Sequence, residues 1–343
     1  MKSFLKTAVA AALASGVVLA GSAVAQAADV TLRFHHFLSP KGFIVPWAEI
    51  VQKDSGGKIA VEVYPSMQLG GKPPSLIDQA RDGVVDIVWT IPGYTPGRFP
   101  GVEAFELPFV SGQSAEKTST ALWDFYEKHL TEDFKDYKVI ALHVHGSGVI
   151  HVKNKSVKSL DDMNGLKLRA PTRIANGLLK ELGANPVGMP VPAFPEALSK
   201  GVVDGGVIPW EVVPPLKVQE LATSHTEFKG PNALYNTVFV VAMNKASYDG
   251  LSDELKKVID DNSGAVASAW AGKSMDDGDK PGRALVEKRG NEINTLDVAE
   301  IEKWRKAGES VTANWISEMK GKGRDEEVMV KDAMTLIEKY EGQ

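Results

Sequence analysis

Residues 84–90 read VVDIVWT, an apolar run broken only by Asp86. A strand that is apolar on both faces must be covered on both, which is the condition of an inner strand in a parallel sheet. The residues before it fit that requirement. Residues 30–34 (VTLRF) alternate as a strand, and 43–53 carry helical spacing that stops at Ser55-Gly56-Gly57. Residues 58–64 (KIAVEVY) alternate again, and 73–82 form a helix closed by Gly83. Two successive β-α-β units imply an open parallel sheet with helices on both sides. The Pro/Gly-rich stretch 91–101 then leaves the carboxyl end of the third strand, where open α/β sheets hold their ligands.

The same alternation continues. Residues 114–129 are helical and 137–145 (YKVIALHVH) a strand; the pattern restarts at Gly146-Ser147-Gly148. Strand-like segments follow at 149–153, 166–170, 187–189 and 202–208, with helices at 174–182 and 192–200. Residues 234–243 (LYNTVFVVAM) return to strand character. The final hundred residues are mostly helix, at 252–273, 277–289, 299–317 and 325–340. The expected fold class is α/β with two lobes, each a mostly parallel sheet flanked by helices. The chain is expected to cross between them near Gly146, Leu234 and Lys273. That assigns 29–146 with 235–273 to one lobe, and 147–234 with 274–343 to the other.

The N-terminus reads as a secretory signal. Lys2 and Lys6 precede an almost uncharged run over 7–25, and Ala25-Gln26-Ala27 is a small-x-small cleavage site. Export with cleavage near Ala27 or Ala28 leaves about 315 residues for the periplasm, long enough for two cores. Losing the two lysines takes the formal charge from −5 to −7. A mildly acidic chain without a Lys/Arg tract is not built for nucleic acid or an anionic membrane surface. No later stretch approaches 18 consecutive apolar residues, so no membrane insertion of the mature chain is expected. The absence of cysteine excludes disulfides, thiol catalysis and thiolate metal sites.

Catalytic signatures are missing as well. There is no G-x-S-x-G, no P-loop, no G-x-G-x-x-G after a strand and no H-E-x-x-H. His143 and His145 share one face of a strand, as zinc ligands must, but no third ligand follows at a usable spacing. They read as polar strand-end residues. Neighbours His35 and His36 point to opposite faces, so only one can meet a crevice. The acidic pairs Asp161-Asp162 and Asp276-Asp277 stand at turns or helix starts, where carboxylates cap backbone N–H groups. Neither an enzyme nor a cofactor or metal site is expected.

Residues 160–171 read LDDMNGLKLRAP. A turn leads into a short strand that ends at Arg169 before Ala170-Pro171, so the guanidinium is aimed off the sheet edge. Guanidinium is always charged and binds a carboxylate through two parallel N–H···O bonds; a structural salt bridge would place Arg there too. The neighbouring segments decide between them. Residues 55–70 (SGGKIAVEVYPSMQLG), 82–87 (DGVVDI), 106–109 (ELPF), 160–171, 182–190 (LGANPVGMP) and 197–205 (ALSKGVVDG) resemble, in order and spacing, the solute-binding proteins of tripartite ATP-independent periplasmic (TRAP) transporters of the C4-dicarboxylate-binding type. The likeness runs over essentially the whole mature chain.

That resemblance implies a two-lobed periplasmic binding protein fold closing over the ligand. It also implies a long bridging helix, expected at 252–273, and Arg169 paired with the ligand carboxylate. The implied partner is a two-part integral membrane permease driven by an ion gradient. The sequence departs from the family pattern at Val149, where many members have a second Arg, and at Ile208, where many have a polar residue, often Asn. Two lost polar contacts argue against a dicarboxylate or a sugar acid. Apolar and aromatic walls are expected from Phe37, Trp89, Tyr94, Trp210 and Ile208, with His36 and Asn236 also in the ligand-binding set. The ligand class is then a monocarboxylate with an apolar or aromatic body, or a zwitterion whose cationic head sits in an aromatic cage. The alternatives are the binding protein of an ATP-driven transporter or of a sensor, and an exported hydrolase.

Overall fold

The computed structural model describes residues 28–38, 42–320 and 325–342. The expected signal segment lies outside these residues. The chain begins β1 (Val30–His36), α1 (Ile44–Asp54), β2 (Ile59–Tyr64), α2 (Leu76–Arg81), β3 (Ile87–Thr90), α3 (Ala115–His129) and β4 (Tyr137–Val144). It continues through β5 (Val149–Val152), β6 (Lys167–Ala170), α4 (Arg173–Glu181), β7 (Asn185–Gly188), α5 (Phe194–Ser199) and β8 (Gly205–Ile208). The short helices α6 (Val213–Leu216) and α7 (Val218–Leu221) lead to β9 (Ser224–Phe228) and β10 (Val238–Asn244). Then come α8 (Lys245–Asp249), α9 (Asp253–Asp261), α10 (Ala265–Arg289), β11 (Glu292–Leu296), α11 (Val298–Met319) and α12 (Glu326–Glu341).

The strands form two sheets, β2-β1-β3-β10-β4 and β11-β9-β5-β8-β6-β7. Each is parallel except for one strand: β10 runs against β3 and β4, and β5 against β8 and β9. These are the strands reached directly from the other sheet. The chain leaves the carboxyl end of β4 and enters the second sheet from that same side as β5; β9 returns to β10 in the same way. The carboxyl ends of the parallel strands in both sheets therefore face one another across a cleft. Connections between the sheets pair with each other, Gly148 N donating to Tyr235 O at 3.2 Å. β3 has the expected double burial, with Ile87, Val88, Trp89 and Thr90 all covered.

The bridging helix differs from expectation. Residues 252–273 do not form one helix: α9 ends at Asp261, and the chain turns at Gly264 with φ +87°, a conformation that L side chains rarely adopt. Gly264 N then donates to Ile140 O at 2.8 Å, fixing the break. The long helix is α10, 25 residues that run through the expected interruption at 274–276 and through Pro281. Two glycines let it touch both halves. A Cβ at Gly272 would lie 2.4 Å from Ala115 O on α3, and one at Gly282 would lie 2.1 Å from Trp210 O beyond β8. After β11 and α11 the chain returns to the first sheet's helices, where Tyr340 on α12 donates to Asp124 on α3 at 2.7 Å.

The acidic pairs differ: Asp276 and Asp277, expected at a helix start, lie within α10, where Asp277 pairs with Lys273 and Asp276 caps a neighbouring helix, whereas Asp162 caps its own turn. Asp276 on α10 accepts from Ala115 N at 2.8 Å and Glu116 N at 3.1 Å at the start of α3. Asp162 accepts from Ser159 N at 3.0 Å. Among the described residues no helix is long and apolar enough to cross a membrane.

Candidate functional site

Arg169 stands at the carboxyl end of β6, between β7 and β8, and is 2% exposed. Both neighbouring segments hold it. Its Nε donates to Met189 O at 2.9 Å and its Nη1 to Val207 O at 3.0 Å. Its Nη2 is buried without a hydrogen-bond partner, and among the described residues no carboxylate forms an ion pair with it. Burial pushes its pKa down, but a guanidinium stays charged in any protein. A buried cation with an unused donor is costly unless an anion arrives to meet it.

The space it faces lies between the two sheets, a narrow cavity of about 30 Å³. Its walls are mostly apolar, with Phe37, Ile91, Pro171, Val191, Ile208 and Phe239 prominent. The polar atoms converge near the cation. Tyr94 lies beside the guanidinium and accepts from Val191 N at 3.1 Å, so its hydroxyl proton is free. Tyr235 and Thr237, each 1% exposed, hold hydroxyls with no partner. His145 lines the same wall, its Nδ1 2.6 Å from Gly146 O. An apolar cavity with a few convergent donors is the ordinary form of a small-molecule site. A wider space of about 390 Å³ adjoins it and shares Leu38, Glu211 and Val212.

The residues expected at the site divide. Arg169, Phe37, Tyr94 and Ile208 line the cavity together. Trp89 does not line this cavity but the wider adjoining space, and it backs the cavity's rings: Phe37 stacks on its indole at 4.9 Å and 4°, and Phe239 does so at 5.0 Å and 6°. Trp89 Nε1 donates to His143 Nε2 at 2.8 Å, so that histidine nitrogen supports the stack.

Three expected residues are placed elsewhere. His36 is fully buried between Phe34 and Trp89 and does not reach the cavity; His35 is scaffold, 2.8 Å from Gln79 Oε1. Trp210 stands behind the wall, edge-on to His151 at 5.3 Å and near His225 at 5.5 Å. Asn236 does not line the cavity, whereas 235, 237 and 239 do. In extended chain alternate side chains share a face, so Asn236 faces away from the side that Tyr235 and Thr237 present.

Comparison with known proteins gives a consistent picture. The family model for bacterial extracellular solute-binding proteins, family 7, matches residues 38–318. A solved TRAP solute-binding protein from a marine metagenome, specific for aromatic acid ligands and in complex with metahydroxyphenylacetate, is 50% identical. Its TM-score is 0.89, over 91% of this chain and 99% of that one. A TRAP solute-binding protein from Rhodoferax ferrireducens, in complex with copurified benzoate, is 47% identical with a TM-score of 0.88. The match covers 91% of this chain and 98% of that one. More distantly, the C4-dicarboxylate-binding periplasmic protein DctP of Rhodobacter capsulatus is 24% identical, over 85% of this chain and 88% of its own.

Proposed function

Because the chain belongs to the bacterial extracellular solute-binding proteins of family 7, the solute-binding component of TRAP transporters, we propose that it captures an aromatic monocarboxylate between its two lobes. Family members bind solutes and are not enzymes. One observation carries the ligand class: the single free guanidinium nitrogen of Arg169 opens into a cavity whose remaining walls are aromatic and aliphatic. A second carboxylate would find no second cation there, since Val149 and Ile208 stand where many relatives have polar contacts. The relatives at 50% and 47% identity were solved with metahydroxyphenylacetate and benzoate, which supports the same reading.

Binding follows from the geometry. The carboxylate approaches Arg169 Nη2 and the hydroxyls of Tyr94 and Tyr235, while the ring lies against Phe37 and Phe239 above Trp89. Lobe closure then removes water, and the ion pair strengthens as the local dielectric falls. The lobes are assigned as 29–146 with 235–273 and 147–234 with 274–343, the second lobe's C-terminal helix α12 lying back against the first. We further place the protein in the periplasm, exported and cleaved near Ala27 or Ala28, delivering its ligand to an ion-driven membrane permease.

Thermal-shift screening of the native chain followed by calorimetry tests the ligand class. Benzoate, hydroxybenzoates and phenylacetate are expected to stabilise it and bind at micromolar level, about −8 kcal/mol. Binding of succinate or a sugar acid with no response to aromatic acids would overturn the reading.

A further inference from the structure

The polar atoms of the cavity are of two kinds, and a carboxylate uses only one. Arg169, Tyr94, Tyr235 and Thr237 can all donate. His145 cannot donate into the cavity. Its Nδ1 lies 2.6 Å from the carbonyl oxygen of Gly146, which has no proton to give, so Nδ1 carries the hydrogen. Neutral imidazole has one N–H, and Nε2 therefore presents a bare lone pair. Burial, with backing from the Arg169 charge, lowers the His145 pKa to about 4, which keeps the ring neutral. The edges of Tyr235 at 5.4 Å and Phe239 at 6.2 Å fix its orientation. The hydroxyls of Tyr235 and Thr237 have no partner, so neither satisfies Nε2.

We propose that His145 makes this site selective for aromatic acids that carry a hydroxyl group, its Nε2 accepting the hydroxyl proton while Arg169 holds the carboxylate. The inference rests on the aromatic-monocarboxylate reading of the cavity and adds a second required group to the ligand. Benzoate alone would leave the imidazole acceptor unsatisfied beside the ring, whereas a hydroxylated relative fills the same volume and satisfies it. Leaving a buried acceptor without a donor is the costly case among hydrogen-bond losses. Glu211 also lines the wall, but burial pushes its pKa up to about 8, so at neutral pH its carboxyl is protonated and, like the tyrosine and threonine hydroxyls, can donate as well as accept.

The test is a calorimetric series on the native protein with benzoate, the three hydroxybenzoates and the three fluorobenzoates, which match the hydroxyls in position but cannot donate. At least one hydroxybenzoate is expected to bind about tenfold or more tightly than both benzoate and its fluoro counterpart. His145→Phe should lower hydroxybenzoate affinity by about tenfold more than benzoate affinity, so that the preference disappears. His145→Gln, which returns an amide oxygen near the Nε2 position, should restore part of it. The proposal is overturned if the native protein shows no preference for any hydroxy isomer. It is also overturned if His145→Phe keeps the preference, or if Glu211→Gln rather than His145→Phe removes it. Should His145→Phe not fold, the native series and the Gln variant decide. If benzoate and every derivative fail to bind the native protein, it is the aromatic-acid reading itself that falls.

Discussion

Arg173 at the start of α4 meets Glu103 on the opposite lobe through two nitrogens, Nε and Nη2, each 2.5 Å from a carboxylate oxygen. Trp315 Nε1 on α11 donates to the same carboxylate at 2.8 Å. Glu103 follows β3 of the first sheet, while α4 follows β6 of the second, so this ion pair, to which Glu318 adds a contact to Arg173 Nη1 at 2.6 Å, ties elements of the two sheets together outside the ligand cavity.

Removing the latch is expected to open the protein. A wholly buried pair costs about 3–5 kcal/mol to break. Here Arg173 is 30% exposed and Trp315 still serves the carboxylate, so Arg173→Ala should shift the closed state by about 2 kcal/mol. Small-angle scattering of the ligand-free variant should give a larger radius of gyration, with weaker ligand binding. An unchanged radius and affinity would show that the pair does not govern closure.

Glu106 gives a pH signature. It is 1% exposed, its Oε1 accepts from Val238 N at 3.1 Å, and burial pushes its pKa up to about 8. A carboxyl raised in the folded state contributes stability that is full below its ordinary value near 4.5 and is lost as pH rises through about 8. Glu106→Gln cannot ionise. Its stability relative to the native protein should therefore improve by roughly 2 kcal/mol between pH 6 and pH 9. Denaturant melts at the two pH values measure this, and a constant difference would contradict it.

Gly206 on β8 leaves room for the arginine. A Cβ there would stand 2.7 Å from the Phe194 ring and 2.9 Å from Arg169 Cβ. Gly206→Ala should cost about 1–3 kcal/mol through overpacking and should displace Arg169. Urea melts and ligand titration should both worsen; a variant with native stability and affinity would mean the strand adjusts freely.

The architecture could be read from the sequence where burial leaves a strong pattern. The doubly covered β3 and the β-α-β units around it announced a parallel sheet, and Arg169 was exposed by the turn and proline that flank it. What escaped had weaker patterns. β9 (SHTEF) and β11 (EINTL) carry polar residues that bond to one another, as Asn294 Nδ2 does to Ser224 Oγ at 3.1 Å, so neither shows an apolar run. The helix break moved to Gly264 because a positive φ there outweighs local helical spacing. His36 and Asn236 do not line the cavity, although each stands one residue from a side chain that does, and a sequence does not show which parity of an extended segment faces a cleft.

The central claim is that an incoming carboxylate completes the unpaired guanidinium of Arg169. Calorimetric titration of benzoate into Arg169→Ala and Arg169→Lys tests it most directly. The alanine variant should bind two to four decades more weakly, as loss of one partner from a buried pair requires, and lysine should recover little because it lacks the planar fork. Near-native affinity in Arg169→Ala would contradict the account.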